Sequence, residues 1–340
     1  MGRRWRSLLS RTKIYSALIL SALLATITVA PAEAAKKSND LSLFDNSVKS
    51  VLAYIKKSDY VLPKSEILFS PSVSDKSKKL NLEALSDISK LWSDFYTPAR
   101  YAALLYSDND LAWVKSNNYI APRMTANDLL QTGWDDGSGD CEWGNAGNEW
   151  SQMACIGDKN YSWIKDSQLV AHEYTHNVQW SVGGNEYGGV TNYDRMFEIP
   201  SWLREGAATY YGFVIASKKA KKPSNVILIQ TGPLVCGYFH SNKVQMSKPI
   251  LKKQNFISQM NNVELGTSDS AKQYVYGSLA TMLLVAKYGG HDAMMNFYEN
   301  VRSGDNWETA FKNAFGLSSD SFYSKSWSDF KKFKDVLTCN

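Results

Sequence analysis

Residues 169–180 read LVAHEYTHNVQW and contain the pattern H-E-x-x-H at His172, Glu173 and His176. On a helix, residues four apart lie one turn apart on the same face, so both imidazoles can reach one ion at about 2.0–2.1 Å, the zinc–nitrogen distance. Glu173 then lies beside the first ligand, where a carboxylate can take a proton from water. With 4 His in the chain, chance produces this pattern roughly 0.002 times. We therefore interpret it as a catalytic metal site.

The chain around this segment changes from strand-like to helical patterns. Strand-like runs are EILFSPS (66–72), PARYAALLYS (98–107) and WSQMACIG (150–157), and helical periodicity covers 41–57 and 80–95. Residues 131–149 are rich in Gly, Asp and Trp and predict a loop. Helices are predicted from Asp166 or Ser167 to about Trp180, over 201–218 and 271–288, and after the capping-box pattern at 305–308. This order predicts an α+β fold, in which a small mixed sheet precedes a mainly helical C-terminal lobe.

Residues 1–35 have the form of a secretory signal peptide. Five basic residues between Arg3 and Lys13 precede an apolar run over 14–30, and Ala32 and Ala34 form an A-x-A cleavage pattern. The run is short for a membrane span, although an uncleaved signal anchor is the alternative. We therefore expect a secreted protein, extracellular or periplasmic, with no membrane association after cleavage.

Removal of this segment leaves a nearly neutral chain. The segment carries five basic residues and one acid, so the net charge falls from +5 to +1. This balance gives no reason to expect a nucleic acid or an anionic membrane as partner. The remaining length suffices for one large domain or two closely packed lobes. We expect an N-terminal region over 36–130 that packs on a catalytic domain over 131–340.

The four cysteines fit an oxidising compartment. Cys141, Cys155, Cys236 and Cys339 can form two disulfides in three pairings. We favour Cys141 with Cys155, which flank a glycine-rich loop, and Cys236 with Cys339, which would tie down the C-terminus. None shows C-x-x-C spacing, so a cysteine zinc site is not expected.

A catalytic zinc needs a third protein ligand. The metzincin extension requires Gly and His three and six residues beyond His176, where this chain has Gln179 and Val182, so that type is rejected. Residues 201–208, SWLREGAA, resemble the W-L-x-E-G-x-A motif of the gluzincin metallopeptidases, in the aminopeptidase N and leukotriene hydrolase branch. The resemblance implies a zincin-like fold with an active-site edge strand, one catalytic Zn²⁺, and Glu205 as third ligand.

The resemblance extends over about residues 165–290. Gluzincins of this branch carry a tyrosine in a Y-x-x-G segment, where its hydroxyl hydrogen-bonds the oxyanion. Tyr274 and Gly277 match that segment, which makes Tyr274 the candidate electrophile. Tyr210, Tyr211 and Tyr276 remain alternatives, because the chain has 19 Tyr and most tyrosines serve packing.

Substrate recognition is less well defined by the sequence. In zincins the strand before the active helix binds the substrate backbone by edge addition, and WSQMACIG occupies that place. Aminopeptidase relatives bind the free amine of the substrate through the Glu of a G-x-M-E-N motif. This chain has GNEW, with Glu149 lying 23 residues before His172 but without the Met and the Asn. Glu149 is thus a candidate substrate-binding residue, and endopeptidase and aminopeptidase both remain open.

The resemblance implies a zinc-dependent hydrolase, in first place a peptidase acting on peptides or proteins, with Glu173 as general base. Asp194, Glu198 or Thr209 could hydrogen-bond the histidines. One alternative is a non-catalytic module in which some of the 11 Trp and 19 Tyr bind glycans or cell-wall polymers. Another is a zinc amidase or deacylase. The sequence does not indicate the oligomeric state.

Overall fold

A computed structural model describes residues 42–63, 65–117, 144–147, 149–153, 163–183, 194–220, 223, 247–265 and 270–333. The expected signal peptide and all four cysteines, with their expected pairing, lie outside these residues. Residues 42–340 form one unit of contacts. The expected division near residue 130 stays a prediction.

The first half of the chain alternates helices and strands. Its elements are α1 (Ser42–Ile55), β1 (Ser65–Phe69), α2 (Asp75–Trp92), β2 (Tyr101–Leu105), α3 (Leu111–Asn117), β3 (Gly144–Ala146) and β4 (Trp150–Met153), with a 3-10 turn at Asp108–Asp110. Ser74 caps α2, because its side chain accepts a hydrogen bond from the Ser77 backbone N–H. The helical and strand-like patterns thus predict α1, α2, β1, β2 and β4 to within a few residues.

These strands form one sheet in the order β1-β2-β4-β3. β1, β2 and β4 are parallel, whereas β3 runs antiparallel to β4, with Asn145 opposite Gln152. Two expectations are wrong here. Part of the glycine-rich stretch expected to be loop forms β3, and β4 from WSQMACIG is internal rather than the edge strand. Among the described strands, β3 is the edge on this side of the sheet.

Helices make up the second half of the described chain. They are α4 (Trp163–Trp180), α5 (Asp194–Glu198), α6 (Ser201–Ser217), α7 (Lys253–Glu264), α8 (Ser270–Lys287), α9 (Gly290–Ser303), α10 (Trp307–Phe315) and α11 (Ser319–Lys332), with 3-10 turns at Ser181–Gly183 and Pro249–Leu251. α4 begins before the expected caps, since no helix breaker stands between Trp163 and Lys165. The small mixed sheet followed by helices confirms the α+β class.

The helix ends of the C-terminal part follow ordinary capping chemistry. Asn306 caps α10 by accepting a hydrogen bond from the Thr309 backbone N–H, so the cap lies one residue beyond Asp305, where the capping-box pattern at 305–308 placed it. Gly316 ends the same helix with φ of 74°, a left-handed conformation that favours glycine. Within the residues described, none of the helices combines the length and apolar composition that crossing a membrane requires.

α6 is the central helix of the molecule. Of its 17 residues, 14 are buried, which is typical of a helix that is surrounded on all sides. α4 and α8 pack against it, and α4 also contacts α2 and the β3–β4 hairpin. At the crossing of α6 and α8, a Cβ on Gly206 would lie 2.2 Å from the Gly277 carbonyl carbon. The two helices therefore touch backbone to backbone at a pair of glycines.

Replacement of Gly277 by alanine tests this contact. A Cβ there would lie 2.2 Å from the Trp202 carbonyl oxygen, and backbone cannot move aside as a flexible side chain can. We expect Gly277→Ala to lower the free energy of unfolding by about 2 kcal/mol or more, measured by urea denaturation. Ser278→Ala, on the same helix, adds no atom and should cost less than about 1.5 kcal/mol. Equal costs for the two variants would contradict the close approach.

Candidate metal centre

A buried hydrogen-bond network fixes α4 against the sheet. The Asn177 side chain donates to the Gly147 carbonyl at 2.5 Å and to the Trp150 carbonyl at 2.7 Å. Its carbonyl oxygen accepts from Ser151 Oγ at 2.8 Å, and Ser151 in turn accepts from the Tyr101 hydroxyl at 2.9 Å. Asn177 follows His176 directly in sequence, so this network sets how the H-E-x-x-H turn faces the β3–β4 hairpin.

The structure brings His172, His176 and Glu205 together. The two Nε2 atoms lie 3.0 Å apart. Glu205 Oε2 lies 3.3 Å from His176 Nε2 and 3.7 Å from His172 Nε2. The histidines come from α4, and the glutamate comes from the first half of α6. Packing of α6 on α4 thus closes the 29-residue separation between His176 and Glu205.

These three donors fit a tetrahedral metal site. Ligands at about 2.0–2.1 Å from a zinc ion lie about 3.3 Å from one another, which matches the observed spacings. Two imidazole nitrogens and one carboxylate oxygen are a common donor set for catalytic zinc, which keeps its fourth position open. Among the described residues, this is the one group of His, Cys, Asp and Glu side chains that could hold a metal ion.

The charges of the cluster are strongly coupled. Burial alone would raise the pKa of Glu205, but His176 and His172 hold it well below its ordinary value. Burial alone would lower the pKa of His176, but the Glu205 carboxylate raises it to about 9. Burial lowers the pKa of His172. Glu205 is therefore ionised, and its charge attracts either a proton on His176 or a cation.

Glu173 lies beside this cluster and faces the edge strand. Its side chain is 3 % exposed, and its Oε2 atom has no hydrogen-bond partner among the described residues. A Cβ on Gly144 would lie 2.3 Å from Oε1, so a larger residue at this position would displace the carboxyl group. Burial raises the pKa of Glu173 to about 8. The carboxyl group is thus able to take up and release a proton near neutral pH.

Tyr274 is the candidate tyrosine that lies at the cluster. Its ring centroid is 6.0 Å from that of His172, because the α6–α8 glycine contact brings the start of α8 close to Glu205. The alternatives have contacts elsewhere. Tyr211 hydrogen-bonds His291, Tyr276 stacks on Phe330, and Tyr210 is buried against Tyr211.

Glu149 has a different environment from the ligands. Its buried carboxylate lies 3.6 Å from Arg100 Nε, and its backbone carbonyl accepts a hydrogen bond from the Ala102 N–H of β2. These contacts direct the residue toward β2 and the segment before it. An arginine thus already neutralises the carboxylate that was expected to bind the free amine of a substrate.

Two polar residues contact the outer nitrogens of the histidines. Gln179 Oε1 lies 2.7 Å from His176 Nδ1, and Thr209 Oγ1 lies 3.4 Å from His172 Nδ1. Sequence reasoning named Thr209 but missed Gln179, which the i, i+3 spacing from His176 could have indicated. Glu198 is exposed, and the side chain of Asp194 lies outside the described residues.

No protein-family model, no curated protein and no solved structure matches this chain.

The Asn177 network predicts a large stability effect. Asn177→Ala would leave the buried Ser151 hydroxyl and the two hairpin carbonyls without this partner, at about 1–3 kcal/mol for an unsatisfied buried group. We expect a loss of about 2–4 kcal/mol in the free energy of unfolding, measured by urea denaturation. Asn81, equally buried, donates only within its own helix. Asn81→Ala should therefore cost clearly less, and the reverse order would contradict the role of Asn177.

The raised pKa of Glu173 predicts a pH-dependent difference between the wild type and Glu173→Gln, both measured in chelator. The folded chain holds this proton up to about pH 8, whereas the ordinary carboxyl releases it near 4.5. The folded state thus binds more protons between these values, so the wild type loses stability relative to the variant as the pH rises from 4.5 to 8. Urea denaturation across this range measures the difference.

A surface glutamate provides the control for that series. The Glu83 carboxylate pairs with Lys219, which lowers its pKa, so Glu83→Gln should show no such trend. A constant difference between the wild type and Glu173→Gln from pH 4.5 to 8 would contradict a buried carboxyl group at residue 173.

Proposed function

We propose that the chain is a secreted, zinc-dependent peptidase with a zincin-like fold, related to the gluzincin metallopeptidases. The convergence of His172, His176 and Glu205, with the buried Glu173 carboxyl group beside them, carries this proposal. A purely structural zinc site needs four protein ligands and no adjacent base. Three ligands and one base are the set that hydrolysis requires.

The chemistry divides between the ion and the protein. Zinc, when bound, would polarise a substrate carbonyl and lower the pKa of water. Glu173 accepts the proton of the attacking water on its carboxylate and later returns it to the leaving amine. A group that must accept and then release a proton works best when its pKa lies near the operating pH, and burial raises the pKa of the Glu173 carboxyl above its ordinary value.

Tyr274 supplies the third function of the site. Its ring lies against His172, and a phenolic O–H at this position can donate a hydrogen bond to the oxyanion that forms when the carbonyl is attacked. Buried Tyr210, Tyr211 and Tyr276 are less suited, because their rings pack in the core. We therefore assign the oxyanion contact to Tyr274.

The edge strand β3 is the proposed substrate-binding element. Its outer side has no strand partner within the described chain, so an extended peptide can add to it by backbone hydrogen bonds. Gly144 on this strand touches Glu173, which would bring an added peptide close to the base. Because Glu149 is paired with Arg100, we favour an endopeptidase over an aminopeptidase.

The aromatic content gives less support to a glycan-binding module. The side chains of Trp92, Trp150 and Trp202 are at most 4 % exposed and stabilise the core instead of forming a surface platform. An amidase or deacylase would use the same four residues, so only substrate profiling separates it from a peptidase.

Metal analysis and peptide hydrolysis test the proposal together. We expect about one zinc per purified wild-type chain, loss of zinc in His176→Ala, and retention of zinc in Glu173→Gln. Glu173→Gln should lower kcat/KM on an extended peptide library by about 10²–10⁴, the usual contribution of a general base. Mass spectrometry of cleaved peptides then distinguishes internal from terminal cleavage.

Glu83→Gln is the matched control, since it makes the same substitution at a surface ion pair. Its zinc content and kcat/KM should equal those of the wild type. A wild type without zinc after metal-replete purification would overturn the proposal. Zinc binding with hydrolysis of acyl amides but not of peptides would replace the peptidase by the amidase.

A further inference from the structure

Gln179 makes three hydrogen bonds that join three helices. Its Oε1 lies 2.7 Å from Nδ1 of His176 on its own helix α4. Its Nε2 donates to the Arg204 carbonyl of α6 at 2.9 Å and to the Tyr298 hydroxyl of α9 at 3.1 Å. The side chain is fully buried, and both polar atoms of its amide have protein partners, as buried polar groups require.

These partners fix the orientation of the amide and, through it, the tautomer of His176. A backbone carbonyl only accepts hydrogen bonds, so the amide nitrogen must face Arg204 and the amide oxygen must face His176. An oxygen can accept but not donate, hence Nδ1 of His176 carries a proton. The neutral ring then keeps its lone pair on Nε2, the atom that points at His172 and Glu205.

The same amide positions the third ligand relative to the second. Arg204 directly precedes Glu205, so the bond to its carbonyl holds the ligand-bearing turn of α6 at a set distance from the His176 ring. Tyr298 provides the outer support. Its ring lies among Trp92, Phe95 and Phe297, at centroid distances of 5.7, 6.0 and 5.2 Å. A buried aromatic cluster therefore fixes the position of the Tyr298 hydroxyl, which accepts a hydrogen bond from the Gln179 amide.

We propose that Gln179 is the positioning residue of the metal centre: it selects the metal-binding tautomer of His176 and holds that ring in register with Glu205. The role rests on the proposed zinc site and adds a residue to it that touches neither the ion nor a substrate. Hydrogen-bond partners of this kind typically increase the metal affinity about 10- to 100-fold.

Two substitutions separate positioning from packing. Gln179→Met keeps the volume but removes the acceptor, so we expect the zinc dissociation constant, measured by chelator competition, to rise about 10- to 100-fold. Gln179→Glu keeps an oxygen on Nδ1 of His176 but loses the donor to the Arg204 carbonyl, so its zinc dissociation constant should lie between those of the wild type and Gln179→Met. Its second oxygen faces the Arg204 carbonyl without a donor, so its melting temperature should fall.

Gln259 provides the matched control. It is also a buried glutamine on a helix, α7, and contributes no atom to the metal cluster. Gln259→Met should leave the zinc dissociation constant unchanged. If Gln179→Met binds zinc as tightly as Gln259→Met, or if Gln179→Glu loses affinity as Gln179→Met does, the positioning role is overturned while the zinc site stands. A wild type that binds no zinc overturns the proposed function and this role together.

Discussion

The hydrogen bonds of Asn177 are the constraint on which the arrangement of the site depends. They tie the last turns of α4 to the carbonyls of Gly147, which follows β3, and of Trp150, the first residue of β4. Because His172, Glu173 and His176 lie on the preceding turns, their directions follow once this contact is made. Both histidines then face α6, and Glu173 faces Gly144 on the hairpin. One buried amide thus relates the sheet to every chemical group that α4 contributes.

A second constraint acts on the other side of the site. The ligand-bearing helix α6 contacts α8 through Gly206 and Gly277. Gly206 directly follows Glu205, and Gly277 lies three residues after Tyr274. Helix backbones can approach this closely only where side chains are absent. The glycines of the two motifs therefore have a packing function. They let two polar side chains from different helices reach the histidines, while the bulk of both helices stays in an apolar core.

Local sequence patterns predicted those elements and site residues that depend on neighbours in the sequence. The H-E-x-x-H spacing, the SWLREGAA segment and the periodic runs each depend on a few neighbouring residues, and the structure brings His172, His176 and Glu205 within one cluster. β3 could not be predicted, because its three residues lie in a glycine-rich stretch, show no alternation and gain their pairing from β4. The internal position of β4 follows from that same pairing. Gln179 went unrecognised because two of its three partners, Arg204 and Tyr298, are distant in sequence.

The contact between Gly144 and Glu173 means that main chain, not a side chain, forms one wall of the site. A wall of this kind depends both on the absence of a side chain at position 144 and on the number of residues in the hairpin. Removal or addition of one residue between β3 and β4 would shift the pairing of Gly144 with Met153. A shift of one residue exchanges the two faces of the strand, so Gly144 would no longer lie against Glu173. In this hairpin, length is therefore constrained as well as composition.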